Sequence, residues 1–575
     1  MTSSASPVSP AEVAKAVENG AEALFARLRP NGAFGDDAPA SVLGTAGAIA
    51  ALHAYDPKGE ATLVDAGAAW LRDQQLEDGG WGGVVGAPGA VVPTAVATAA
   101  LAMTATAENS STESSSAESS DAVKAGRSRL AALGGVDGVK DRAIALLCRQ
   151  LLAMAGLAEE SGPVRRLPLE IVHFDAVRRR TISFRTAPFI GMALMQDGLL
   201  PAGRVRTATL RRARPKAISL LRSIYDHEGR TGAFSEDPWP AALVLLGLAR
   251  SGEAPDMAAA AAAWLRGAVR PDGSWDAVTN LDLTRSGYAA TGLIAAGYGD
   301  DPRLRPTRDL FHTTQKQEPF DVFAVPPGGW SFSNARGWPV TLESAEILTA
   351  LAGFPEAADD PALRSGLAWL LDRQDKRGSW SLWVRDTRLP NDGPCPAITA
   401  QAITALRAAG HPADHPAVRK AAQWLQTRQQ PDGTFENLWY RDHTSGTAAV
   451  VTALCNAGLA DGDTVKRAAA WLMRTQLPDG SWGPGDGTEG SVEETAWAVE
   501  GLLAATGATG ANDAVERGVA WLVSAALPDG SWRPTRVCNY IRHYMHYPNA
   551  VITQALALRA LGEYRAALGA PDDRR

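Results

Sequence analysis

Cysteine is scarce in this 575-residue chain: Cys148, Cys395, Cys455 and Cys538 stand far apart, and none belongs to a CxxC pair. That excludes a zinc ribbon and a disulfide framework, and leaves four buried thiols as the expectation. Long apolar runs are also lacking. The longest, such as the alanines after Met257, fall short of the roughly 18 residues that span a bilayer, so a transmembrane helix is excluded. The opening MTSSASPVSPAEVAKAVENG has no basic stretch followed by an apolar one, so no secretion or import signal is read and a cytoplasmic location is the default. Positive charge is in deficit, with 56 Lys and Arg against 63 Asp and Glu and a net charge of -7. Phosphate binding depends on an excess of Lys and Arg, so nucleic acid is not an expected partner. The length itself allows at least two sizeable cores.

Tryptophan is the residue in excess, at 17 against 9 Tyr and 12 Phe, and it sits in a repeat. The pattern Q-x3-G-x-W/F recurs at Gln75–Trp81, Gln374–Trp380, Gln429–Phe435 and Gln476–Trp482. Copies at Phe34, Phe234, Trp275, Trp330 and Trp532 keep the glycine and the aromatic but not the Gln. A helical stretch with a recurring Trp (Trp70, Trp369, Trp424, Trp471) precedes each full copy, and an Ala-rich stretch of helical period follows it. The unit is therefore a helical hairpin, and the fold class is all-α. In the turn between its helices Pro sets the first dihedral and Gly supplies a positive φ. The Gln is expected to bond backbone at the next helix terminus while the Trp covers the junction. Hairpins of this kind stack as an open solenoid or close into a double ring, and periodicity does not choose between the two. Between Gly79 and Gly232 no clear copy appears, and the acidic, Ser-rich segment 107–120 is expected to be a disordered surface loop.

The repeat resembles that of the triterpene cyclases, squalene-hopene cyclase and oxidosqualene cyclase. So do the segments LPLEIVHFD (167–175), SEDPWPAALVLLGLA (235–249), TSGTAAVVTAL and ETAWAVEGL, in the family's order. The resemblance implies two α/α toroids: an inserted barrel over 20–278, and a catalytic-type barrel made of 1–19 plus 279–575. It further implies class II-like cyclisation of a polyprenyl or prenylated substrate, with an acid at the top of a cavity and aromatic faces that stabilise carbocations. One stretch departs from the family. In GWPVTLESAE (337–346) the residues around the proton donor match the oxidosqualene cyclase pattern, but the donor's own position is Leu342 and the next is Glu343.

Glu343 is accordingly the first candidate acid, against a role in starting its helix, and Asp282, just before the segment that resembles a cavity-facing motif of the family, is the second. Trp239, Phe332, Trp338 and Trp439 fall where the resemblance places cavity aromatics, and Tyr540 and Tyr544 lie in the aromatic-rich C-terminal region; all six are candidate substrate-binding residues. His543 and His546 have no third ligand, so no metal site is read. No cofactor is expected, save magnesium if the substrate is a diphosphate. The arginines 165, 166, 178–180 and 185 would serve a diphosphate or peripheral contact with membrane headgroups. The loss of the donor Asp keeps two alternatives open: a non-catalytic isoprenoid-binding protein, or a cyclase initiated by leaving-group ionisation. A protein prenyltransferase subunit is disfavoured, since its zinc-binding DxC pattern is missing.

Overall fold

The computed structural model describes residues 8–36, 38–105, 113–157, 163–197, 199–200, 204–509, 512–542 and 544–569. The chain divides into two compact units. One comprises Met1–Asp37, Leu281–Asn539 and Pro548–Arg575; the other comprises Ala38–Asn280 with Tyr540–Tyr547. The resemblance suggested a boundary after residue 19, but that point lies inside the first helix, α1 (Pro10–Phe25), whose buried Val13, Val17, Leu24 and Phe25 form one continuous apolar face. The chain divides only after that helix has ended.

In the inserted unit, α2 (Val42–Tyr55), α3 (Ala61–Asp73), α4 (Val91–Thr104), α5 (Glu113–Ala132) and α6 (Arg142–Met154) are followed by the short α7 (Asp175–Thr181). Then come α8 (Thr186–Met195), α9 (Arg204–His227), α10 (Pro238–Ser251) and α11 (Pro255–Gly267). Helices α2, α4, α8 and α10 are apolar nearly all round and form the inner layer with α6; α3 and α11 bury only one face and lie outside. The inner helices contact one another in the order α6, α4, α2, α10, α8, and the Gln150 amide closes the ring by donating to the Met192 carbonyl at 2.8 Å. The two ends of the insert are tied by an antiparallel pair, β1 (Ala40–Ser41) with β2 (Trp275–Asp276). Of the Ser-rich segment, 107–112 lie outside the described residues, while Glu113 onward belongs to α5 rather than to a loop. The later turns of α5 bury Ala122 and Leu130, and the polar residues before them continue that helix.

The rest of the chain is α12 (Asp282–Leu293), α13 (Arg305–Thr314), α14 (Thr341–Gly353), α15 (Pro361–Asp372), α16 (Pro396–Ala408) and α17 (Pro416–Gln426). It continues with α18 (Thr444–Asn456), α19 (Asp463–Thr475), α20 (Val492–Thr509) and α21 (Asn512–Ser524). A short hairpin, β3 (Cys538–Ile541) and β4 (Met545–Tyr547), precedes α22 (Ala550–Gly569). The even-numbered helices form a closed inner ring, since each contacts the next and α22 contacts α12. The choice left open by periodicity is thus settled: the fold is two α/α toroids.

The repeat works as capping chemistry. Gln374 donates its amide to the Gly378 carbonyl and to the Ala417 carbonyl in the next outer helix, both at 2.9 Å. Gln75, Gln429 and Gln476 do the same in their own copies. Each Trp ring is buried with its indole N–H on a carbonyl near the end of the preceding outer helix, as in Trp482 to Leu472 at 2.6 Å and Trp380 to Leu370 at 2.8 Å, which satisfies groups that helix ends leave open. The turn glycines have positive φ, 99° at Gly378 and 93° at Gly480, as the PDG reading requires. A further regularity is a hydroxyl in the first turns of six inner helices that accepts from the aromatic residue's backbone N–H: Thr45, Thr94, Ser344, Thr399, Thr447 and Thr495.

Candidate active site at the rim of the six-helix ring

The six inner helices of the larger toroid all start at one rim. Four of these helix starts are bonded to the loop that leads into the next inner helix. The Leu283 and Thr284 amides donate to the Phe332 carbonyl, Thr341 bonds Ser381 and Leu382, Thr444 bonds Gly483 and Pro484, and Glu493 bonds Thr535. Short polar side chains and loops therefore converge there.

Glu343 stands in the first turn of α14 and is 8% exposed. One of its oxygens accepts from the Thr284 hydroxyl of α12 at 2.9 Å. Burial pushes its carboxyl up to about 7, and nearby Glu346 adds to the shift. Leu342, beside it, is a buried apolar side chain.

Two further residues at this rim are not singled out by the sequence. Arg285, in the first turn and a half of α12, is 3% exposed, and its Nε has no acceptor. Arg441 donates to Glu494 at 3.5 Å, while its own Nε is also buried without a partner. Glu494 is wholly buried, and desolvation outweighs Arg441 in pushing its carboxyl up to about 8. Buried charge has no hydropathy signature, so only the three-dimensional arrangement reveals this group. Further along the helices, Arg559 makes a bidentate pair with Glu500 at 2.9 and 3.0 Å and also reaches Glu346 at 3.3 Å. Thr291 and Gln401 complete the bonds to Glu346.

The squalene-hopene cyclase C-terminal domain model matches residues 321–566, and the prenyltransferase α/α-toroid domain model matches residues 44–153. Residues 321–566 thus carry a squalene-hopene cyclase C-terminal domain, and residues 44–153 a prenyltransferase α/α-toroid domain. The chain is similar to a squalene–hopene cyclase of Alicyclobacillus acidocaldarius, 27% identical over 30% of this chain and 31% of that protein. A drimenyl diphosphate synthase of Streptantibioticus cattleyicolor is 27% identical over 33% of this chain and 35% of that protein. The alignments thus span about a third of the length of these curated relatives. The structure of an ent-copalyl diphosphate synthase from Streptomyces platensis superposes over 97% of this chain and 99% of that one, with a TM-score of 0.61 at 20% identity, which is a likeness of fold.

The remaining candidates separate on inspection. Asp282, first residue of α12, is partly exposed and paired with Arg29 at 3.2 Å. Trp439 and Phe332 are half-buried in rim loops, and Trp439 packs edge-on against Trp383 with ring centroids 5.8 Å apart. Trp338 is 2% exposed and wedged among Phe320 and Phe323, so its ring is core. Trp239 belongs to the inserted unit. There it fills the space over Gly47 and lines a narrow apolar pocket inside that ring with Val96, Leu151 and Leu246. In the same unit the Tyr540 hydroxyl donates to Asp237 at 2.5 Å, and the Tyr544 hydroxyl accepts from the Lys140 amide at 2.8 Å; both are structural ties. Asp237 also caps α10, and burial pushes its carboxyl up to about 7.

The arginine cluster does not act as one patch. Arg178 is buried on Asp175 and Thr186, and Arg185 is paired with Asp141 at 3.1 Å; Arg165 and Arg166 are exposed. His543 lies outside the described residues. Among the described residues no helix is long and apolar enough to cross a membrane.

Proposed function

We propose that this chain is a class II-type terpenoid cyclase that acts on a polyprenyl or prenylated small molecule, with Glu343 as proton donor. The observation that carries the reading is the Glu343 carboxyl: buried, bonded by Thr284 on one oxygen, and pushed up to about 7 by burial, so that a large share of it keeps its proton at neutral pH. A general acid must hold its proton at working pH and have an oxygen free to give it up. Thr284 fixes the orientation of the carboxyl from the facing helix. Phe332 and Trp439, half-buried in loops at the same rim, are the rings we assign to stabilising a developing cation.

A carboxyl near 7 is a weaker donor than an ordinary one, and each pK unit is worth about 1.4 kcal/mol. That disfavours an isolated alkene and favours a basic oxygen such as an epoxide, or a group that ionises by itself. The substrate set for the test follows: squalene, oxidosqualene and the C15 and C20 prenyl diphosphates, incubated with the purified chain and analysed by mass spectrometry. Glu343→Gln keeps size and hydrogen bonding but has no acidic proton. The expected result is cyclised product with the wild type, at least about a hundredfold less with Glu343→Gln, and unchanged substrate binding. Product undiminished in Glu343→Gln removes Glu343 from the mechanism. Binding without product from any of these substrates favours the isoprenoid-binding alternative that Leu342 at the aligned donor position suggests.

A further inference from the structure

The extended segment 438–441 leads into α18 and is fixed along its length. Tyr440 and Cys538 form an antiparallel bridge, Arg441 N donates to Val537 O at 3.0 Å, and Asn539 N donates to Trp439 O at 2.9 Å. The Asn539 side-chain amide donates to the Leu438 and Tyr440 carbonyls at 3.1 and 3.0 Å. Side chains alternate along such a segment, so Tyr440 points away from Trp439 and Arg441. Its hydroxyl donates to that of Tyr288 on α12 at 2.8 Å, and its ring lies edge-on to Trp497 on α20 with centroids 4.7 Å apart. In the inner ring α22 stands between α12 and α20. A side chain that touches both is therefore inside the ring, and Tyr440 is only 5% exposed there.

The depth of this aromatic layer follows from α12. Thr284, which holds Glu343, comes four residues before Tyr288 on the same face, or about 6 Å along the helix axis. Thr291 comes three residues after Tyr288 and bonds Glu346. Glu346 is also bonded by Gln401 of α16 and by Arg559 of α22, and Arg559 pairs with Glu500, three residues beyond Trp497 on α20. Beneath the aromatic layer, then, one ionic network with buried carboxylates ties five of the six inner helices. A hydrocarbon chain does not displace it, because leaving one partner of a buried ion pair uncompensated is costly.

We infer that Tyr440 is the stop that fixes how far an isoprenoid chain enters the ring past Glu343, and is thereby a specificity-determining residue. The inference rests on the cyclase reading for the role of Glu343 and the nature of the chain. Loss of the phenol ring leaves a hole of about the size of one isoprene unit, walled by Tyr288 and Trp497 and floored by the ionic network. Such a hole rewards a longer chain, since each further CH2 that leaves water for an apolar site favours binding.

Calorimetric binding of farnesol and geranylgeraniol to the full chain tests the stop. The ratio of C20 to C15 affinity is expected to rise about tenfold in Tyr440→Ala. It is expected to keep its wild-type value in Tyr440→Phe, which retains the ring and loses only the hydroxyl bond. Tyr440→Leu is expected to shift the ratio in the same direction by less, and carries the test if the Ala variant does not fold. An unchanged ratio in either folded variant overturns the inference. A rise in Tyr440→Phe as large as that in Tyr440→Ala also overturns it, because the hydroxyl bond and not the bulk of the ring would then set the limit. The two readings fail separately. A shifted ratio without cyclised product from any substrate keeps the stop and sinks the cyclase, whereas wild-type product with an unshifted ratio does the reverse.

Discussion

At the residue scale, the larger toroid hides carboxyls that burial pushes well above the ordinary range, and this couples its stability to pH. Glu343 is raised from the ordinary carboxylate range to about 7 and Glu494 to about 8. An acid whose folded pKa lies above its unfolded one binds more protons in the folded state, so its stabilising effect is full below about pH 4.5 and is lost as pH rises through the folded value. Urea unfolding of the wild type between pH 5 and 8 should therefore show stability falling as pH rises. Glu343→Gln should flatten that slope by on the order of 1–3 kcal/mol across the window. An unchanged slope means that Glu343 is ionised throughout and is no proton donor. The position of Glu343 was legible from the chain because its neighbours Trp338, Pro339 and Val340 keep a family pattern. Its partner Thr284 was not, since 59 residues separate the two. Arg285 reads in the sequence as an ordinary polar helix residue, and only the closed ring makes it an unpaired buried cation.

At the scale of elements, the Q-x3-G-x-W turn was readable because its three residues are close in sequence and serve one junction. Where the same bonds come from afar, the pattern vanishes although the chemistry persists. Gln315 donates to Gly328 and Ala362, both at 2.8 Å, across 13 residues rather than four, and Gln554 serves the Gly530 turn from the following inner helix. The hydroxyls of Thr399 and Thr495 went unnoticed because a Thr in a helix is unremarkable until its partner is known. The junctions predict a measurable hierarchy. Phe435 fills its turn without an N–H to give, so Trp482→Phe converts one junction to a form the chain already tolerates. The variant should fold, yet it strands the Leu472 carbonyl and leaves a gap, at a cost of about 1–3 kcal/mol in the urea midpoint. No change in the midpoint would show that the indole bond contributes nothing beyond filling space.

At the scale of the whole molecule, the chain's order does not follow its architecture, and this is the part that composition and periodicity leave open. Solenoid and ring share one hairpin repeat; what separates them is whether the first and last hairpins meet. They do, because α1 is the outer helix that seals the ring against α21 and α22. Gln554 donates to the Gly20 carbonyl at 2.9 Å, and Arg303 pairs with Glu22 at 2.8 Å while lying 3.7 Å from the centre of the Phe25 ring. The buried Val13, Val17, Leu24 and Phe25 contribute roughly 1.5–3 kcal/mol each, a sum comparable to the net stability of a domain. Deletion of residues 1–25 should therefore open the six-helix ring and leave the other one intact, since the inserted unit closes on itself through β1, β2 and the Gln150 bond. Hydrogen exchange read by mass spectrometry distinguishes the outcomes. Protection is expected to be lost in α12, α20 and α22 and kept in α2, α4 and α10. Protection kept throughout would mean that α1 is dispensable to closure. Loss in both sets would mean that the two units unfold as one, so that the insert depends on a ring which the local bonds show it does not need to complete its own.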